Sequence, residues 1–263
     1  MTADRTSLGV IGYTGFVGGT ICGQAEVNAN YNSQNIEDIQ GRSFETLVCA
    51  GAPGAKWKAN RDAAADLASI DRLIGHLQTV NVDRFVLIST VDVFPKPTEV
   101  DEATLIDMAE LEPYGRHRYH LELSARNMFP QASIIRLPGL FGTGLKKNFI
   151  YDLINGNALH LTHSESTFQF YDMSNLWQDI RQVITAGAPL VNLAVEPVKA
   201  ADVARECFGL EFRNETDRPA VHYSVQTRLA AAFGRSGPYL YSAGYTFAEI
   251  RHFTHCNSKA GVA

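Results

Sequence analysis

The stretch Leu8-Gly9-Val10-Ile11-Gly12-Tyr13-Thr14-Gly15-Phe16-Val17-Gly18-Gly19 decides how the rest of the chain is read. Leu8 to Ile11 is a short apolar run that reads as a buried strand. It passes directly into a glycine-punctuated turn and then into a predicted helix over 16–24. Gly12, Gly15 and Gly18 form a G-x-x-G-x-x-G series. A pyrophosphate seated at a helix N-terminus must approach the backbone closely, where free N–H groups and the helix dipole favour negative charge. Side chains in the turn would block that approach, and a Cβ would push the helix off the strand. The spacing differs from the G-x-G-x-x-G of other dinucleotide folds, and tight βα turns also use glycine. Its place after the first strand, at the head of a βα repeat, points to dinucleotide binding. The expected contacts are Gly12, Gly15, Phe16, Val17 and Gly18.

Outward from the turn, strands and helices alternate. Val27–Tyr31 is a candidate second strand, followed by a short helix near 36–40. Phe44–Ala50 is a third strand and Arg84–Ser89 a fourth. Between them, 60–80 has helical spacing, with Leu67, Ile70, Leu73, Ile74 and Leu77 on one stripe. Tyr114–Met128 reads as a helix and Ala132–Leu137 as a fifth strand. Alternation of this kind indicates a parallel sheet covered on both faces with right-handed crossovers. The expected fold is therefore α/β, a Rossmann-type doubly wound sheet with a small C-terminal substrate-facing subdomain. The core would occupy 1–145, and 146–263 would be a mixed region that also returns elements to the core. In that region helices are predicted over 147–155, 175–186 and 199–208, with a strand over 190–193; 211–263 mixes short apolar groups with Gly, Pro and Thr.

Composition narrows the partners. The chain has 263 residues and a formal net charge of -5, without a basic block, so nucleic acid and anionic membranes are poor partners. No apolar run approaches the roughly 20 residues of a membrane span, and Met1–Ser7 has no signal-peptide core. Cys22, Cys49, Cys207 and Cys256 lack metal-ligand or redox-pair spacing and read as reduced thiols. The expected location is the cytoplasm. His160/His163 and His252/His255 repeat at three residues but lack an acidic partner, so no metal is expected.

An acid at the end of the second strand would select NAD, and an Arg there NADP. The chain offers Tyr31-Asn32-Ser33-Gln34-Asn35, with neither. Ser33 and Asn35 suit either ribose form, Arg42 is a candidate for a 2′-phosphate, and the choice of NAD or NADP stays open.

The order GYTGFVG, VCAGAP, RFVLISTVDVF, PYGRHR, IIRLPGLFG, FQFYDMSNLWQDI and NLAVEPVKAADVA, from about Leu8 to Phe208, resembles the extended short-chain dehydrogenase/reductase family. That family includes NAD-dependent sugar epimerases, dehydratases and nucleotide-sugar ketoreductases. The resemblance implies an enzyme, an oxidoreductase or epimerase that works on the hydroxyl or keto carbon of a sugar-like substrate. It places the Ser/Thr of the site at Thr90 and the Tyr of its Y-x-x-x-K helix at Tyr114. The phenol moves a proton while the Thr hydroxyl holds the substrate oxygen. Cofactor contacts are implied at Ala50, Gly51, Ala52, Ser89, Tyr114, Arg118 and Pro138 as well as at the glycine turn. The resemblance also implies a homodimer formed through the Tyr helix.

Three positions depart from the family. Arg118 stands where the family has Lys; it is a permanent cation one helical turn from Tyr114, but larger and flat. Val91-Asp92 replaces the Asp-Glu pair of the 4,6-dehydratases, which disfavours ordinary 4,6-dehydration and leaves Asp92 as a lone acid/base candidate. Gly139 stands where nucleotide-sugar members often have Asn, so Lys146, Lys147 and Asn148 are the replacement contacts to examine, with Trp57 as a possible pocket wall. Two alternatives stay open. One is a sensor or scaffold that binds cofactor with its hydride chemistry lost. The other is a non-redox lyase or isomerase relying on Asp92.

Overall fold

The computed structural model describes residues 5–260, with side chains through residue 255. Met1 to Asp4 and the Cys256 thiol, both part of the sequence reading, lie outside what is described. The chain forms two compact units. The first comprises residues up to Pro95, Thr104–Arg136 and Leu176–Val191; the second comprises Lys96–Ala103, Leu137–Asn175 and the chain from Asn192.

In the first unit, β1 (Thr6–Ile11), β2 (Ala29–Tyr31), β3 (Ser43–Cys49), β4 (Asn81–Thr90), β5 (Ser133–Leu137) and β9 (Leu190–Asn192) form one sheet in the order β2-β1-β3-β4-β5-β9. The β2–β1, β1–β3 and β3–β4 pairings are parallel, with Ile11 opposite both Tyr31 and Cys49. The order reverses direction at β1/β3, so the carboxyl ends of these two strands form the crevice where doubly wound sheets take ligands.

Successive strand residues face opposite sides. Ile11, Leu47, Cys49, Phe85, Leu87 and Ile134 pack with Ile70, Leu73 and Leu77 of α3 (Ala63–Leu77) and Leu121 and Ala125 of α4 (Pro113–Met128). Val10, Val48 and Val86 alternate with them and are fully buried on the other side. There α1 (Phe16–Gln24) and α6 (Leu176–Ala186) pack on each other. Burial on both faces is why these strands read as unbroken apolar runs.

The predicted single helix over 60–80 is instead two, α2 (Lys56–Arg61) and α3. Asp62 breaks it: its backbone leaves the helical region and its carboxylate caps α3 by accepting from the Ala65 amide at 3.1 Å. Leu67 of the predicted stripe is exposed.

The second unit holds two small sheets, parallel β6 (Gly139–Phe141) with β8 (Phe170–Asp172) and antiparallel β7 (Thr167–Phe168) with β10 (Val198–Lys199). Its helices are α5 (Phe149–Asn155), α7 (Ala200–Phe208) and α8 (Ala243–Ala260), and Phe141, Phe149, Phe170, Val203 and Ile250 centre its core. Two polar side chains stitch its loops. Buried Gln169 donates to the carbonyls of Val195 and Val225 and accepts from the Val225 amide. Glu102 accepts from Asn192, Thr227 and Arg228. Among the described residues no helix is long and apolar enough to cross a membrane.

Candidate functional site

The glycine turn sits at the β1/β3 reversal. Gly12 donates to the Tyr31 carbonyl and Ala50 to that of Ile11, which draws the ends of β1, β2 and β3 together. Gly12 has φ +88°, and a Cβ on it would lie 2.3 Å from the Ala50 oxygen; one on Gly18 would lie 2.2 Å from the Gly12 oxygen. Only glycine lets α1 start this close to the strand ends. The Gly15 amide is spent on the Gly12 carbonyl at 2.9 Å. The amides of Phe16, Val17 and Gly18 open the helix, where no intrahelical acceptor exists. No side chain caps α1 and no acidic residue lies in its first turn. A nine-residue helix entered through bare backbone, without a competing carboxylate, has the donor chemistry for a pyrophosphate.

At the end of β2, Ser33 is exposed. Asn35 is committed to its own loop: its Oδ1 accepts from the Asn32 amide at 2.7 Å and its Nδ2 donates to the Asn30 carbonyl at 3.0 Å. Arg42 precedes β3. It therefore lies at the amino end of that strand, about 20 Å from the turn at ~3.3 Å per residue, too far to meet a ribose phosphate there.

Thr90 ends β4 and Tyr114 opens α4. The Thr90 hydroxyl accepts from the Asp92 amide at 3.1 Å and lies close enough to the Tyr114 phenol to lower its pKa. Burial pushes the phenol above its ordinary pKa and Asp92 adds to the rise, while Arg118, Lys56 and the Thr90 hydroxyl oppose it. Lys56 Nζ donates to Asp92 Oδ1 at 2.7 Å. Four residues further along α2, Asn60 Oδ1 accepts from the Tyr114 amide at 2.9 Å and caps α4 where Glu112 does not.

Arg118 is buried. Its guanidinium grips Asp66 of α3 with both terminal nitrogens, one at 3.0 Å from Oδ1 and the other on Oδ2, and also donates to the Pro53 carbonyl. His117 Nδ1 shares Asp66 Oδ2 at 2.7 Å. Burial alone would raise the Asp66 carboxyl, but Arg118 and His117 together hold it below the ordinary value. The Arg118 Nε is buried and has no partner among the described residues.

A second buried pair lies deeper in the same helix. Arg136 of β5 binds both oxygens of Glu122, at 2.9 and 2.6 Å, and Ser89 donates to Glu122 Oε1 at 2.6 Å. The Ser89 hydroxyl thus faces α4, on the same side as Phe85 and Leu87.

Of the remaining predicted residues, Ala50, Gly51 and Ala52 follow β3 at the crevice, half-buried. Trp57 is 63% exposed on α2, with the Arg61 guanidinium 4.9 Å from its ring centre. Pro138, Lys146, Lys147 and Asn148 belong to the second unit. There Asn148 caps α5 by accepting from the Tyr151 amide and donates to the Leu140 carbonyl, which gives its side chain a structural occupation. Pro138 is buried and both lysines are exposed. Among the described residues no three His, Cys, Asp or Glu side chains converge as metal ligands. A cavity of about 510 Å³, lined by Leu8, Thr46, Arg84, Trp177 and Arg181 among others, contains none of the predicted site residues.

The sequence reading missed Lys56, Asn60, Asp66, Glu122 and Arg136. Two of these carried a signal. Asp66 lies on the stripe of Ile70, Leu73 and Leu77, and Arg136 interrupts the apolar run of β5. A charge at a buried position requires a partner.

A family model described as the NAD dependent epimerase/dehydratase family matches residues 32–176, just over half of the 263. The match begins beyond the glycine turn. No curated protein matches. Among solved structures, the NAD-dependent NDP-hexosamine 5,6-dehydratase TunA is 16% identical with a TM-score of 0.76, covering 97% of this chain and 98% of its own. The dTDP-4-dehydrorhamnose reductase of Bacillus anthracis in complex with NADP is 14% identical with a TM-score of 0.75, over 96% and 99%. MoeE5 in complex with UDP-glucuronic acid and NAD is 15% identical with a TM-score of 0.73, over 95% and 99%. At such identities the likeness is one of fold.

Proposed function

Because the chain belongs to the NAD dependent epimerase/dehydratase family, a family of enzymes that use a nicotinamide dinucleotide, we propose that it catalyses reversible redox chemistry at a hydroxyl or keto carbon of a nucleotide sugar. The substrate class rests on the similarly folded proteins, which include a UDP-glucuronic acid complex, an NDP-hexosamine dehydratase and a dTDP-4-dehydrorhamnose reductase.

The observation that carries the reading is the juxtaposition of the Thr90 hydroxyl, at the carboxyl end of β4, with the Tyr114 phenol, with only β3 between β4 and the strand that ends in the glycine turn. The open amides of α1 suit the pyrophosphate, Ser33 the adenosine ribose, and the unpartnered Arg118 Nε a ribose hydroxyl on the nicotinamide side. The bound nicotinamide supplies or accepts the hydride. Thr90 fixes the substrate oxygen, and Tyr114, protonated at neutral pH like any phenol with a pKa of about 10 and kept so by burial, gives its proton to that oxygen in reduction and retrieves it in oxidation.

The test has two parts. Purified protein is denatured to identify any released dinucleotide, then titrated with NAD(H) and NADP(H). Turnover of UDP- and dTDP-4-keto sugars is followed for wild type and Tyr114→Phe. The expected result is binding of at least one dinucleotide and a loss of turnover of about 10²–10⁴-fold in the variant with cofactor affinity kept. Absence of dinucleotide binding at millimolar concentration overturns the reading.

A further inference from the structure

A phenol that gives a proton to substrate must regain one before the next cycle, so a buried tyrosine needs a route to water. Arg118 is the cation that lies against the Tyr114 ring from one helical turn away, and the geometry removes it from that task. A guanidinium does not deprotonate in proteins. Both terminal nitrogens of this one are held by Asp66 and the Pro53 carbonyl, and it lies over the Tyr114 ring face, 4.1 Å from the centroid.

A different cation bears on the same tyrosine from another element. Helix α2 is fastened to Tyr114 by Asn60, and residues four apart share a helix face. Lys56, one turn earlier, is thereby carried to the same neighbourhood, where its ammonium pairs with Asp92 at 2.7 Å. Asp92 is itself fixed, since its amide is bonded to Thr90 and its carbonyl lies under Gly115, where a Cβ would come within 2.2 Å. Both charges act on the Tyr114 phenol. The Lys56 side chain is 45% exposed and that of Asp92 is 21% exposed, so the ion pair that bears electrostatically on the buried phenol is itself open to solvent.

We propose that Lys56, held by Asp92, is the proton-relay residue through which Tyr114 exchanges its proton with water, while Arg118 serves as a fixed scaffold cation. This rests on the redox reading above. In the reductive direction the phenolic proton passes to the substrate oxygen as the hydride reaches carbon, and phenolate remains. The Lys56 ammonium returns one proton to the phenolate, directly or through one water, and the resulting amine takes one from solvent. Asp92 stays ionised throughout and holds the ammonium. Oxidation runs the same transfers in reverse. The charged and titratable groups that bear on the phenol are Arg118 from its own helix, Lys56 from α2 and Asp92 from the segment after β4, with the Thr90 hydroxyl beside it. Asp66 and His117 stand behind Arg118.

The test uses cofactor-free protein labelled with [13Cζ]tyrosine, the Tyr114 resonance being assigned by its loss in Tyr114→Phe among ten tyrosines. Lys56→Gln is expected to move the phenol titration up, and Asp92→Asn to move it down, each by about half a pH unit or more. With a 4-keto sugar and reduced cofactor, Lys56→Ala is expected to lose about 10-fold or more in kcat and to recover part of it with added methylamine, at unchanged cofactor affinity. A merely structural ion pair could shift the two titrations in these same opposite senses but would not respond to amine, and a pair remote from the phenol would move neither titration. Absence of amine recovery, or of any shift in both titrations, overturns the relay. Failure of wild type to bind any dinucleotide would instead overturn the redox reading, and it would leave the two titrations readable.

Discussion

The Arg118 guanidinium stacks on the ring of Tyr114, the residue one helical turn before it, at 4.1 Å from the ring centre. A lysine has no planar head to lie in this way, and it could not fork onto both oxygens of Asp66. The exchange of lysine for arginine at this position is therefore tied to the carboxylate on α3 that receives it. That carboxylate is the basis of the first prediction.

Asp66 and Arg118 have side chains 6% and 3% exposed. Removing one partner strands a buried charge. Asp66→Ala is expected to lower unfolding stability by about 3–5 kcal/mol, and Asp66→Leu combined with Arg118→Met to restore most of it. Urea unfolding measures both. A loss below about 1 kcal/mol in the single variant would show that the pair behaves as a surface contact.

Because the Asp66 carboxyl is held below its ordinary value in the folded state, it adds stability that is fully present above the unfolded value of about 3.9. That stability is lost as pH falls through the folded value. Acid unfolding of wild type should therefore steepen below about pH 4. An Asp66→Asn protein, already weaker, should show a shallower dependence in that range. Equal slopes for the two proteins would contradict this.

The raised phenol of Tyr114 sets the direction of the pH–rate profile. Reduction needs the protonated phenol and should persist beyond pH ~10, the ordinary tyrosine value. Oxidation needs the phenolate and should still be climbing there. Initial rates in both directions from pH 6 to 10.5 test the pair of limbs. An oxidative plateau reached near neutrality would contradict the dominance of burial.

Gly12→Ala puts a side chain at φ +88° and 2.3 Å from the Ala50 oxygen. A strain of about 1–3 kcal/mol follows from the dihedral alone, and the displaced turn should weaken dinucleotide binding at least 10-fold. Calorimetric titration of the variant reports both binding and, through thermal unfolding, stability. Unchanged affinity would separate the turn from the cofactor.

Much of the sheet was legible because periodicity and burial coincide there. The helix α1 and the strands around Leu47, Val86 and Ile135 carry apolar runs that only a doubly covered sheet explains. The break at Asp62 was not legible, since a capping aspartate inside an apolar stripe looks like a solvated residue until its φ is known. Helix α8 escaped notice although Phe247, Ile250 and Phe253 recur every three residues; Gly244 and Thr246 before them and the polar Glu249, Arg251 and His252 among them obscured the pattern. Among the candidate site residues, Thr90, Tyr114 and Arg118 were named by motif. Asp66, Lys56 and Asn60 were not, because each meets the site from a segment about 50 residues from Tyr114 or Arg118 in sequence, and no spacing rule spans such a gap.

The bond from the Tyr114 amide to Asn60 bears on how this protein can diversify. Loops after strands usually vary freely, and new specificities arise in them by insertion. Here the segment after β3 is fastened to Tyr114, the residue proposed to handle the proton. Adding or deleting one residue between Ala50 and Asn60 would rotate α2 by about 100° and withdraw Asn60 from its bond. Length variation at this loop should therefore be selected against, and laboratory evolution of new activities should change the side chains of this segment while keeping its residue count.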